Sequence, residues 1–173
     1  MMNSSIRKIA ATSFAIIMST GATAFAARTA TAATNPIFAE GANATTTGKA
    51  GDTVDAKVVY RLQNPGSHEM TFGRAPFDLI FTAPPPATFA SDTVKVDGLS
   101  STRSLSCTLV GAATQLHCSL PGPATVKGDI TFTPKVTLPQ WSPAGSRFNG
   151  GSVLYYNGNP APVTASVNYL VGT

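Results

Sequence analysis

Cys107 and Cys118 are the residues here with the most distinctive covalent chemistry. As free thiols they would be nucleophiles or metal ligands. A thiolate nucleophile needs an activating base, and His117 adjoins Cys118. A structural zinc site needs about four ligands, which one neighbouring histidine does not supply. A small, even cysteine count in an exported chain favours a disulfide, which removes the thiolate. His68 and Glu69 are adjacent, so on a strand they face opposite ways and cannot act as a pair. The acids Asp52, Asp55, Asp78, Asp92, Asp97 and Asp129 are isolated, mostly at strand starts or turns where Asp bonds the backbone. They form no Asp-x-Asp-x-Asp run of the calcium-loop kind. No catalytic residue, metal or cofactor is expected, and the chain does not read as an enzyme.

Three aromatic residues are the candidate contacts: Trp141, Tyr155 and Tyr156. Trp141 stands in a loop, Trp141-Ser142-Pro143-Ala144-Gly145, and either stacks on a sugar or partner surface or covers an open end of the fold. On a strand, Tyr155 and Tyr156 put one ring inward and one outward.

The elements that must hold these residues are strands. Pro and Gly recur every few positions, which excludes long helices. Residues 53–62 give the clearest half-buried strand: Val54, Ala56, Val58, Tyr60 and Leu62 share one face, with Asp55, Lys57 and Arg61 on the other. Asn64-Pro65-Gly66 ends it in a turn. Segments 68–72, 77–82 and 93–96 are further strands, the last ended by Asp97-Gly98. Pro84-Pro85-Pro86 forces a crossing, since proline cannot join a central ladder. Residues 129–138 alternate around Pro134, as at an edge or bulge. Residues 151–156 and 163–171 pair across Asn157-Gly158-Asn159-Pro160. Residues 105–109 and 115–120 form a hairpin. If Val110 faces Gln115, then Cys107 faces Cys118, where a non-hydrogen-bonded pair brings Cα atoms within about 4.5 Å. The count is seven to nine strands, that of an antiparallel immunoglobulin-like sandwich, with one disulfide stapling a hairpin.

The N-terminus reads as a secretory signal peptide: Arg7 and Lys8, then an uncharged apolar stretch from Ile9 to Phe25, then Ala24-Phe25-Ala26 and Ala30-Thr31-Ala32. Cleavage is expected after Ala26, the alternatives being Ala32 or Ala33. The stretch is diluted by Thr, Ser and Gly and is short for a membrane span; the rival reading is an uncleaved N-terminal anchor. No second stretch is long and apolar enough to span a membrane. Residues 34–50, rich in Ala, Thr, Asn and Gly, read as an extended arm, with Pro36-Ile37-Phe38 a candidate edge strand. The arm either adds to a partner's sheet edge or is a tether. Residues 51–173 make the sandwich.

Charged residues are only 12 % of the chain, against an average of about 25 %. The formal charge of +4 falls to +2 without Arg7 and Lys8, and to +1 without Arg28. The remaining cations are scattered, with no basic patch for nucleic acid.

These segments resemble the DUF11 family, immunoglobulin-like modules of bacterial secreted and envelope proteins. The matching residues are Gly51-Asp52-Thr53-Val54, Tyr60-Arg61-Leu62-Gln63-Asn64-Pro65-Gly66, the run from Ala83 to Phe89, Cys107 with Cys118, and Asp129-Ile130-Thr131-Phe132-Thr133. They cover roughly residues 51 to 138. The chain departs from the pattern at Asn64-Pro65-Gly66 and at His68-Glu69-Met70. The resemblance implies a spacer or adhesive module without catalytic residues. The expected role is a secreted, non-catalytic structural or protein-binding module of a bacterial envelope or extracellular assembly. The alternatives are a carbohydrate or cell-wall binding domain built on Trp141, Tyr155 and Tyr156, and a small secreted inhibitor or toxin using the loop from Pro84 to Phe89.

Overall fold

A computed structural model describes residues 38–43, 45–63, 69–73, 77–101, 103–120, 123–156 and 162–173. The signal peptide, its cleavage sites, residues 36–37, His68 and the turns at 64–66 and 157–160 lie outside the described residues. Every described residue belongs to the compact unit Ala32–Thr173.

The strands, in chain order, are β1 (Phe38–Glu40), β2 (Thr46–Gly48), β3 (Thr53–Asp55), β4 (Val58–Leu62), β5 (Glu69–Phe72), β6 (Phe77–Thr82) and β7 (Thr88–Phe89). They continue as β8 (Thr93–Leu99), β9 (Arg103–Val110), β10 (Gln115–Leu120), β11 (Ala124–Thr133), β12 (Lys135–Thr137), β13 (Arg147–Tyr156) and β14 (Val163–Val171). Among the described residues eight strands have five residues or more, within the expected seven to nine, and six short pieces raise the total to fourteen. Two breaks produce much of the surplus. The strand expected over 53–62 divides at Ala56, whose N–H donates to the Pro134 carbonyl. Pro134 splits 129–138 in the same way, because proline supplies no ladder donor.

The first sheet joins β1, β4, β11 and β8, with β5 also on β11; the second joins β10, β6, β13, β14 and β2. β3, β12 and β7 form a small third sheet. Pairing is antiparallel except for β2, which runs parallel to β14. The arm expected over 34–50 therefore supplies two strands within its described part: β1 on β4 in the first sheet and β2 on β14 in the second. Phe38 of that segment is buried in the core.

β9 belongs to both sheets. Arg103 to Ser106 pair with β8, and Cys107 to Val110 pair with β10. At the changeover, the Cys107 N–H donates to the Asp92 carbonyl at 2.7 Å. Cys107 lies directly opposite Cys118, as the hairpin register predicts, and the disulfide forms with the Cα atoms 4.3 Å apart. The staple thus sits where the strand leaves one sheet for the other. Replacing both cysteines by alanine should cost about 2–3 kcal/mol, the value for a short closed loop. Urea unfolding with and without reductant measures it, and a loss below about 1 kcal/mol would mean that the hairpin holds the corner unaided.

The core lies between the sheets. Val58, Tyr60, Val94, Val96, Ile130 and Phe132 face Leu79, Phe81, Leu116, Leu154, Val167 and Tyr169. A side-chain hydrogen bond between the Tyr60 hydroxyl and Ser152 Oγ crosses it. Ser152→Ala should cost about 1–3 kcal/mol, because it leaves a buried phenol without its partner. Adding Tyr60→Phe should recover part of that loss in denaturant titrations. Equal stability of the single and double variants would mean that the bond contributes little.

Candidate functional site

Each of the isolated acids has a partner within the fold. Asp52 accepts from the Lys49 N–H, and Asp78 accepts from Ser119 Oγ at 2.7 Å. Thr93 Oγ1 donates to Asp92. Asp55, Asp97 and Asp129 pair with Lys135, Lys95 and Arg61. These ion pairs are exposed, where such contacts contribute little to stability. Glu69 opens β5 and pairs with Lys127 across the ladder. His117 is exposed and contacts Gln115, while its neighbour Cys118 is held in the disulfide. Burial pushes the phenols of Tyr60 and Tyr169 well above the ordinary tyrosine range, Tyr60 also feeling an opposing hydrogen bond from Ser152. They are therefore neutral hydroxyls throughout the physiological range. Among the described residues no three His, Cys, Asp or Glu side chains gather as a metal site.

The three aromatic candidates part company. Trp141 sits in the β12–β13 connection, 93 % exposed. It does not pack over an end of the sandwich, and its loop is hydrogen-bonded at both ends. The Leu138 N–H donates to the Asp52 carbonyl as the chain leaves β12. The Ser142 N–H reaches back to the Pro139 carbonyl, closing a turn with Gln140 and Trp141 at its corners. A second turn follows, from Ser146 N–H to the Pro143 carbonyl. It is tied to the last strand by Gly145 N–H to Val171 O and by Val171 N–H to Ser146 O. Pro139 and Pro143 bracket the indole and remove backbone freedom around it.

Tyr155 faces outward on β13, opposite Asp78, and is 44 % exposed. Tyr156 points inward and is a core residue, so it is withdrawn as a contact. Its hydroxyl accepts from the Phe38 N–H at 3.1 Å, and its ring packs edge-on against Phe38. Trp141 precedes the start of β13, while Tyr155 lies near its far end. The strand between them spans about 27 Å at the usual rise per residue. They do not make one stacking platform, which removes the geometry that a sugar site on Trp141, Tyr155 and Tyr156 requires.

The proline crossing is docked at its two ends. The Ala83 and Phe89 N–H groups donate to the carbonyls of Thr114 and Ala113 at the β9–β10 tip, leaving Pro85 and Pro86 outward. That tip carries two exposed apolar side chains, Leu109 and Val110, absent from the candidates read in the sequence. Both lie at the end of β9, where it pairs with the start of β10.

The fold is an immunoglobulin-like β-sandwich. The chain matches no family model and no curated protein. Its DUF11 resemblance is thus carried by no family match. Among solved structures it is similar to BcpA, the major pilin subunit of Bacillus cereus, at 8 % identity and a TM-score of 0.50, over 79 % of this chain and 40 % of the pilin. It is also similar to ACE19, the collagen-binding subdomain of the Enterococcus faecalis surface protein ACE, at 8 % identity and a TM-score of 0.46, over 80 % and 99 % of the two chains. A third match is AvmM, which catalyzes macrocyclization in alchivemycin A biosynthesis, at 9 % identity and a TM-score of 0.38, over 79 % and 87 %. The chain spans about two-fifths of the pilin's length. Such likenesses concern the fold, and a fold does not fix activity.

Proposed function

We propose that this chain is an exported, non-catalytic module that binds a protein partner within a bacterial envelope or extracellular assembly. The observation that carries the reading is Trp141, a fully presented indole on a turn held at both ends. An exposed large apolar side chain leaves about 1.5–3 kcal/mol of burial free energy unused. Trp is also the residue type most enriched among interface hot spots, and a rigid loop loses little entropy on docking. The signal-peptide layout, the DUF11 resemblance and the pilin-like fold support export and an envelope setting.

The test is affinity capture from culture supernatant and wall fractions with the mature chain and with Trp141→Ala. The indole should be worth about tenfold or more in capture, as expected of a hot spot. Equal capture by both proteins would overturn the assignment. Mass spectrometry of the exported protein places its N-terminus between Ala26 and Ala33 if the leader is cleaved as expected.

A further inference from the structure

A hollow of about 210 Å³ lies on the outer side of the first sheet, where it meets the small third sheet. It is lined by Asp55, Ser91, Thr93, Lys95, Ser104, Thr133 and Lys135. The register explains how residues so distant in sequence converge. Thr133, Lys95 and Ser104 form one row across β11, β8 and β9. Lys135 and Asp55 face each other across β12 and β3. Buried Pro134 joins the two groups and breaks the strand, so the outer surface is concave there rather than flat.

The lining has a specific chemistry. Two ammonium groups reach it, each already near a carboxylate: Lys95 3.0 Å from Asp97 and Lys135 3.1 Å from Asp55. Among the described residues the hydroxyls of Ser104 and Thr133, on either side of Lys95, have no hydrogen-bond partner. Ser91 Oγ accepts from the Thr93 N–H and keeps its own proton to donate. No apolar side chain lines the hollow, so it does not suit a hydrophobic ligand.

From this set we infer that the hollow binds an acidic sugar unit of an anionic polysaccharide. The lysines take the anionic group. Asp55 would repel a bare oxyanion, but it is an acceptor for a sugar hydroxyl. The unpartnered Ser and Thr hydroxyls donate to or accept from the ring hydroxyls. With no aromatic platform the contact to one unit is weak, and a polymer that presents many units gains by effective concentration. The site shares no residue with the Trp141 loop and does not depend on the function proposed for it.

The experiment titrates the mature protein with polygalacturonate, dextran sulfate, a poly(glycerol phosphate) and neutral dextran. Polygalacturonate or dextran sulfate should bind while dextran does not, the two identifying the anion as carboxylate or sulfate ester, and binding of the sugar-free poly(glycerol phosphate) alone would overturn the sugar assignment. Lys95→Ala with Lys135→Ala should weaken binding about tenfold, whereas Lys127→Ala, a paired lysine on β11 outside the hollow, should weaken it by less than about twofold. Ser104→Ala with Thr133→Ala should cost about threefold at unchanged salt dependence. Trp141→Ala should leave binding intact, and unfolding midpoints confirm that the variants are folded. Binding of no anionic polymer, equal binding of dextran, or equal losses from Lys127→Ala and the lysine pair would each overturn the inference. Unchanged affinity in the hydroxyl variant would reduce the contact to charge alone and overturn the sugar assignment.

Discussion

Phe38→Ala is expected to destabilise the domain by about 3–5 kcal/mol, the usual cost of emptying a buried aromatic site. The ring is fully buried and packs within 5.6 Å of both Phe72 and Phe77 and 5.1 Å from Tyr156, centre to centre. Phe72, on short β5, and Phe77, which opens β6, also pack on one another in a tilted arrangement at 5.0 Å. Phe38 thus bridges the two sheets from an edge strand of only three residues. A typical domain has about 5–15 kcal/mol in total, so this one substitution removes a large share. Urea denaturation followed by tryptophan or tyrosine fluorescence reads it directly. A loss below about 1 kcal/mol would mean that β1 is dispensable and the segment is a tether after all. Phe38→Leu, which keeps much of the volume, should fall well short of the alanine cost.

Gly98→Ala should cost about 2–4 kcal/mol, through two effects that add at one position. Gly98 has φ +91°, and an added Cβ would lie 2.1 Å from the Asp129 carbonyl oxygen. The reason is an irregularity in the ladder: Leu99 pairs with Val126 and Asp97 with Thr131, so four residues of β11 oppose Gly98 alone. The bulge presses the β11 backbone against β8, and only a residue without a side chain fits. Gly128, in the same bulge, also has a positive φ, of +73°, but nothing within 4 Å of its Cβ position. Gly128→Ala should therefore show conformational strain alone, about 1 kcal/mol. The difference in thermal midpoint between the two variants isolates the clash. Equal midpoints would refute the close approach.

These two residues also show what the sequence could reveal. The cysteine register was legible because a short hairpin constrains its own pairing: fixing Val110 against Gln115 fixes Cys107 against Cys118. Alternation likewise placed Ala56, Val58 and Tyr60 inward, and separated Tyr155 from Tyr156. Phe38 was harder. Pro36-Ile37-Phe38 reads as a candidate edge strand, but nothing local tells that the ring closes a cluster made by residues 34, 39 and 118 positions away. Gly98 looked like the end of a strand, since Asp-Gly usually marks a turn; β8 instead runs through it to Leu99. Trp141 was ambiguous for a related reason. An indole in a loop is covered or presented according to how the loop is anchored, and its anchors, Asp52 and Val171, lie far away in the chain. The hollow around Lys95 was invisible because it depends on β8, β9, β11 and β12 being neighbours, which no local pattern encodes.

The parallel pairing of β2 with β14 has a mechanical consequence. The chain enters the domain at β1 and β2 and leaves it from β14. Thr46, Thr47 and Gly48 lie beside Tyr169, Leu170 and Val171 with both strands running the same way. A tensile load that passes β1 into the start of β2 and acts on the end of β14 therefore pulls these neighbours in opposite directions along their common axis. Their bonds are loaded together in shear, where an antiparallel hairpin pulled from its open end would give way one bond at a time.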